Sequence, residues 1–304
     1  MKRRWMFILL FNMVLFSGCA EEKTFQDTME AITPSQNNVL EPVEYEDIIN
    51  DGENGSKVLI QEKNTALVKK EWWEPLPNTS WQWQLAGELN TGYDVDVYDL
   101  DLFETSPETI DALHQRGIKV ICYFSAGSYE NWRSDSDEFP STVFGNTLEG
   151  WEDEQWLDVS QLDLLAPVMT GRLDLAVEKV CDGVEPDNVD GYLNDNGFSL
   201  TSQDQLEYNQ WLAEEAHQRG LAIGLKNDLD QILELVHYFD FSVNEQCFEY
   251  DECEQLLPFI EQGKAVFGVE YELEPLDFCE KANRFNFSWL KMDYELDGGR
   301  IGCE

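Results

Sequence analysis

The strongest constraint in this sequence is a rhythm. Between Trp81 and Asp293 eight short apolar runs recur: WQWQL (81–85), VDVYDLDLF (95–103), IKVICYFSAG (118–127), DGVEPDNVDGY (182–192), LAIGLKN (221–227), FDFSVNEQ (239–246), KAVFGVEY (264–271) and FSWLKMD (287–293). Helix-like stretches separate them. Thr105 or Ser106 can cap a helix that opens on Pro107 and is stopped by Gly117, since proline suits the first helical position and glycine the left-handed C-terminal one. Residues 172–180, 203–219, 228–237, 253–262 and 275–284 read in the same way. Strands alternating with helices make βαβ units and a parallel sheet. Eight of them fold most simply as an α/β closed barrel of the (β/α)8 TIM type. The first link is too short for a full helix, so the first helix is reduced. The stretch 129–170 after strand three is long for one loop and is expected to hold extra structure over the barrel mouth.

The chain upstream of the rhythm reads differently. Lys2, Arg3 and Arg4 precede an apolar run from Trp5 to Phe16 that only Asn12 interrupts, and Ser17 and Gly18 stand directly before Cys19. That layout is a secretory signal over residues 1–18, too short for a spanning helix. The small-small-Cys ending resembles a bacterial lipobox, which makes Cys19 the expected lipidation site and the first residue after processing. Ordinary cleavage near Ala20 is the alternative. Ala20 in place of an acidic residue after Cys19 points to an outer membrane or cell surface. Residues 19–70 are polar and acidic without a sustained period, and they read as a disordered tether. Residues 71–304 form the expected folded domain, a size that suits one barrel.

Charge narrows the partners. The chain carries 61 Asp+Glu against 20 Lys+Arg; loss of the three basic residues of the signal leaves 17. Nucleic acid is excluded as a partner, because phosphate binding needs a basic face. Solubility or a salty habitat explains such acidity, and so does a cationic substrate drawn to a negative cleft. Six cysteines remain beside Cys19, and in an exported chain they favour disulfides over metal ligation. Cys247 and Cys253 are close in sequence, Cys122 on one strand and Cys181 just before the next can be brought together by neighbouring parallel strands, and that leaves Cys279 with Cys303, one of fifteen possible pairings. His114, His217 and His237 lie in helical stretches without metal-site spacing. Neither a metal nor an organic cofactor is expected, and the protein is expected to act as a monomer.

In such barrels chemistry sits at the carboxyl ends of the strands. Polar residues crowd those ends: Asp99, Asp101, Tyr123, Asp187, Asp190, Lys226, Asn227, Glu245, Glu270 and Tyr271. Some such residues only cap helices or bind loop backbone, but convergence from many strands points to a site. Glycoside cleavage needs one carboxyl to protonate the leaving oxygen and a second to attack the sugar carbon or activate water. Strand four supplies Glu185, Asp187 and Asp190, and strand six supplies Glu245. The ends of strands four and six lie on the same rim with one strand between them, which is expected to place their side chains about 5 to 9 Å apart, the range that glycosidases use. Trp81, Trp83, Tyr93, Tyr98, Tyr123, Tyr192 and Trp289 lie at or near strand ends, where rings either stack on sugars or pack the core.

Taken in order, WQWQL, VDVYDLDLF, VICYFSAGSYENWR, GVEPDNVDGY, GLKND and VNEQC resemble glycoside hydrolase family 114, the endo-α-1,4-polygalactosaminidases, over residues 72–293. The resemblance implies a barrel enzyme that cuts inside α-1,4-linked, partly de-N-acetylated galactosamine polymers, cationic exopolysaccharides of the kind found in biofilms. It implies Asp187 as nucleophile and Glu245 as general acid/base, with a retaining outcome. Glu185 stays a rival to Asp187, because Pro186 disturbs the alternation between them. Lys226 and Asn227 are expected to hold sugar hydroxyls or steer a carboxylate. Trp83, Asp99, Asp101, Tyr123, Glu185, Asp190, Tyr192, Glu270 and Tyr271 are expected to line subsites. Two other readings stand beside this one: a glycosidase on another α-linked glycan, and a surface lipoprotein that binds polysaccharide without cutting it.

Overall fold

The computed structural model of the protein describes residues 72–303; the signal, Cys19 and the tether as far as residue 70 lie outside the described residues. The elements run β1 (Trp81–Gln84), β2 (Val97–Asp101), α1 (Pro107–His114), β3 (Lys119–Ser125), β4 (Ser128–Glu130), β5 (Phe144–Leu148), β6 (Trp151–Leu157), α2 (Leu162–Glu178), β7 (Gly183–Asp187), α3 (Ser202–Gln218), β8 (Ala222–Lys226), α4 (Ile232–Leu235), β9 (Phe241–Glu245), α5 (Leu257–Glu261), β10 (Ala265–Glu270), α6 (Pro275–Arg284), β11 (Ser288–Met292) and β12 (Arg300–Gly302).

One curled sheet has the order β1-β2-β3-β7-β8-β9-β10-β11-β12. Its first eight strands are parallel neighbours, and β12 returns antiparallel to β11. This is the expected TIM-type barrel. Its seam between β1 and β11 is closed differently from a strand ladder. Trp81 Nε1 donates to the Ser288 carbonyl at 2.9 Å, Arg300 Nη1 donates to the Trp81 carbonyl at 2.9 Å, and the Leu85 amide donates to Leu296 at 3.0 Å. No helix separates β1 from β2. The extra structure after β3 is a small antiparallel sheet, β4-β6-β5.

Side-chain parity sorts the core into two layers. Val97, Ile121, Ala222, Phe241, Phe267 and Leu290 pack inside the barrel. Val184, Ile223, Leu225 and Val266 pack outward beneath the helices. Because successive strand side chains alternate, the inward row includes Asp99, Tyr123, Glu185, Asp187, Lys226 and Glu245. Glu185 and Asp187 therefore share the inner face, one layer apart, and Pro186 leaves that parity intact.

Helix α2 begins at Leu162 rather than near residue 172 and runs through Pro167. Proline and a following glycine argue against a helix locally. Leu165, Val168, Met169, Arg172, Leu173 and Ala176 nevertheless form one buried stripe, so packing overrides propensity. Disulfides join Cys122 to Cys181, Cys247 to Cys253 and Cys279 to Cys303, the three pairs expected from the sequence. At the amino ends of the strands, Trp72 stacks on His217 with ring centroids 3.9 Å apart and donates to Asp240 at 3.0 Å. Pro75 accepts from the Ala265 amide at 2.9 Å, so the chain crosses that pole before entering β1. Among the described residues no helix is long and apolar enough to cross a membrane.

Candidate active site

The carboxyl ends of β7, β8 and β9 place Asp187, Lys226 and Glu245 side by side, each the last residue of its strand. Lys226 Nζ lies 3.0 Å from Asp187 Oδ1, 3.2 Å from Glu245 Oε2 and 3.4 Å from Glu185 Oε1. The ammonium also sits 4.9 Å from the Trp83 ring centroid, a cation–π contact from below. Burial by itself would lower the affinity of Lys226 for its proton, but the carboxylates of Asp187, Glu245 and Glu185 outweigh it and hold the group well above the usual lysine range.

Each rim carboxylate has its own donors. Asp187 Oδ2 accepts from the Tyr123 hydroxyl at 2.9 Å, and Oδ1 accepts from the Asn188 amide at 2.8 Å. Glu245 Oε1 accepts from the Tyr271 hydroxyl at 2.6 Å, and Oε2 accepts from Asn227 Nδ2 at 3.2 Å. Asn227 Oδ1 in turn accepts the Glu245 amide at 3.0 Å. Burial, ahead of repulsion from Asp187, raises the Tyr123 phenol well above its ordinary value. Burial, ahead of Glu245, does the same at Tyr271. Both phenols thus remain donors. Solvent reaches 18% of the Asp187 side chain and 27% of Glu245, but none of Glu185.

The turns after these strands share a local device. Asn188, Asn227 with Asp228, and Gln246 all have positive φ, between 44° and 63°. Such backbone is uncommon outside glycine and is tolerated best by Asn and Asp. It turns the chain sharply behind each rim side chain, and strain of this kind collects at functional sites. The run of DN, KND and EQ immediately after strands is the sequence signal for it. Asn188, which the sequence reading missed, also donates Nδ2 to Ser125 Oγ at 2.9 Å. Ser125 bonds Ser128 at 2.6 Å, and Ser128 donates to Glu154 at 2.8 Å. Burial, then the charges of Glu130 and Asp187, pushes Glu154 up to about 8.

Several residues expected to line subsites are placed elsewhere. Asp101 is covered: Oδ2 pairs with Arg133 at 2.7 Å, and Oδ1 accepts the Phe103 and Glu104 amides, because Arg133 of the inserted segment claims it. Glu270 is buried and accepts the Phe248 amide at 2.9 Å, which secures the loop after β9. Asp99, Glu185 and Trp83 lie one layer below the rim, entirely or almost entirely covered. Of the other aromatics, Trp81, Tyr98 and Trp289 are core. Asp190 stays half-buried near the rim, its carboxyl raised to about 6 by burial and then by Asp187. Tyr192 reaches Asp228 Oδ1 at 3.3 Å. Tyr294, another missed residue, stacks on Tyr271 with centroids 4.3 Å apart. His114 and His217 each pair with an aspartate, Asp182 and Asp240, and among the described residues no group of three or more His, Cys, Asp and Glu could hold a metal ion.

Two solvent-reached carboxylates on one barrel rim, flanked by phenol donors, are the equipment of a glycoside hydrolase. The family follows from the sequence: residues 62–304 match the model of glycoside-hydrolase family GH114, and the chain belongs to that family. Among solved structures it is similar to Aspergillus fumigatus Ega3 in complex with galactosamine, at 42% identity and a TM-score of 0.73, over 76% of this chain and 97% of that one. It shares its fold with the glycoside hydrolase domain of PelA from Pseudomonas aeruginosa, at 14% identity and a TM-score of 0.59, over 73% of this chain and 97% of that one. No curated protein matches the chain.

Proposed function

We propose that the protein is an endo-acting hydrolase of α-1,4-linked, partly de-N-acetylated galactosamine polymers, with Asp187 as nucleophile and Glu245 as general acid/base. The observation that carries the roles is the lysine bridge. One oxygen of each carboxylate touches the same ammonium at 3.0 and 3.2 Å, so these oxygens stand no farther apart than the two contacts laid end to end, 6.2 Å. The retaining outcome is the family's, and carboxylates that share one ammonium are compatible with the roughly 5–5.5 Å separation of a retaining pair. Glu185 shares the inner face but is closed to solvent, which favours Asp187 as the attacking group.

In this reading Glu245 gives its proton to the leaving oxygen while Asp187 Oδ attacks the anomeric carbon. The bond to the leaving sugar breaks and a glycosyl ester forms on Asp187. Glu245, now charged, takes a proton from water, which attacks the same carbon and frees Asp187. The hydroxyls of Tyr123 and Tyr271 keep each carboxylate oriented throughout. Choice of a galactosamine polymer rests on the 42% identity to Ega3, whose structure contains galactosamine, and on a formal charge of −41, which suits a cationic chain. Export as a lipid-anchored monomer on Cys19, with residues 19–70 as tether and residues 71–304 as the catalytic domain, completes the reading.

The test follows oligosaccharide release from partly deacetylated α-1,4-galactosaminan by the parent chain and its Asp187→Asn and Glu245→Gln variants. Mid-length products from the parent and none from either variant are expected. Tight binding without products would point instead to a polysaccharide-binding lipoprotein. Cleavage that survives Asp187→Asn would transfer the nucleophile role to Glu185.

A further inference from the structure

Below the rim lies a second pair of acids that the cleavage steps do not use. Asp99 on β2 and Glu185 on β7 are both completely buried. None of their four carboxyl oxygens has a conventional hydrogen-bond partner; the Lys226 ammonium, 3.4 Å from Glu185 Oε1, is the cation beside them. Both side chains point into the barrel from strands that flank β3, one on either side, and each raises or lowers the other's hold on a proton. Two ionised carboxylates cannot share such a space, and neither can accept from the other unless one carries a proton.

We propose that Asp99 and Glu185 hold one proton between them, with Asp99 as donor, and that this pair is a positioning device that keeps Lys226 balanced beneath Asp187 and Glu245. With Asp99 neutral and Glu185 charged, the charge of Lys226 is matched from below. The nucleophile then keeps its own negative charge for the sugar. When the pair gains a second proton, on Glu185, Lys226 turns its whole field onto the rim carboxylates and quenches the attack. The electrostatics agree in direction: burial, then repulsion from Glu185, raises Asp99 well above the carboxylate range. Burial, opposed by Lys226, brings Glu185 to about 7. The groups facing the pair are Lys226 on β8, Asp187 on β7, Glu245 on β9, Tyr123 on β3 and Tyr271 after β10. The proposal rests on the roles given above to Asp187 and Glu245, and it makes the buried pair, rather than the nucleophile, the origin of the acid limb of the rate profile.

The experiment compares pH profiles of kcat and KM for the full chain, Asp99→Asn and Asp99→Leu. Asparagine still donates a hydrogen bond to Glu185, so its acid limb should stay where the parent's lies. Leucine removes the donor, Glu185 protonates more readily, and the limb should move up by a pH unit or more, with KM little changed. Infrared difference spectra at pH 7.5 supply an activity-free readout: a protonated-carboxyl band present in the parent should be lost in Asp99→Asn. A limb that stays put in Asp99→Leu overturns the proposal, and so does a difference spectrum without that band. If the leucine variant does not fold, the infrared comparison decides. A parent that binds but does not cleave the polymer defeats the functional reading alone, and the infrared result still judges the pair.

Discussion

Lys226→Met isolates the bridge. Methionine keeps most of the stem against Trp83 but deletes the ammonium, leaving Glu185, Asp187 and Glu245 without the cation at 3.4, 3.0 and 3.2 Å. Removing one partner of a buried ionic cluster costs about 3–5 kcal/mol. In a domain of this size each kcal/mol moves the melting temperature by about 2–4 °C, so a fall of about 6–20 °C is expected at pH 7.5. Without the cation the burial of Glu185 goes unopposed, so its carboxyl, already raised, binds its proton still more tightly in the folded state than in the unfolded one. A carboxyl with a raised folded-state pKa favours folding on the acid side and loses that contribution as pH rises through the folded value. The gap between parent and variant should therefore narrow at pH 5.5. Thermal unfolding of both chains, followed by circular dichroism at the two pH values, measures it. A gap under about 1 kcal/mol at pH 7.5, or one of equal size at both pH values, would refute the bridge as the dominant charge contact of the site.

Other perturbations test single contacts. Tyr271→Phe removes the hydroxyl that donates to Glu245 at 2.6 Å; a bond to a charged group contributes about 1.5–3 kcal/mol to stability, so the melting temperature should fall by about 3–12 °C, and kcat/KM should fall with it. Gly127→Ala would set a Cβ 1.6 Å from the Asn188 carbonyl oxygen, and since Asn188 directly follows Asp187, the variant should lose activity along with stability in a combined melt and turnover assay. Opening the disulfides one at a time by Cys→Ser pairs should destabilise in the order of loop span, Cys122–Cys181 (59 residues) before Cys279–Cys303 (24) before Cys247–Cys253 (6), with losses of about 4, 3 and 2 kcal/mol from loop-closure entropy, read from denaturant midpoints.

The strands were legible because each is a compact apolar run bounded by turn residues, and parity then put Asp187, Lys226 and Glu245 on one rim. Helix α2 was only half legible, because Pro167 and Gly171 speak against a helix that tertiary packing enforces. The small sheet β4-β6-β5 was legible only as excess length: β5 and β6 slip register against each other, and their alternation is weak. Within the site, chemistry-bearing residues could be found but not ranked by depth. Asp99 and Glu185 read like rim residues because alternation tells face and not layer. Asp101 read like a ligand because nothing local announces Arg133, 32 residues away. The bridging role of Lys226 depends on three strands at once and has no signature in any one of them.

The crossing of the amino pole by Trp72 and Pro75 has a mechanical consequence. Strand β9 starts beside Asp240, on which Trp72 is moored, and ends at Glu245, about 13 Å further along at the usual rise of an extended strand. A pull arriving through residue 72 therefore enters the barrel at the base of its strands, at the pole opposite Asp187 and Glu245.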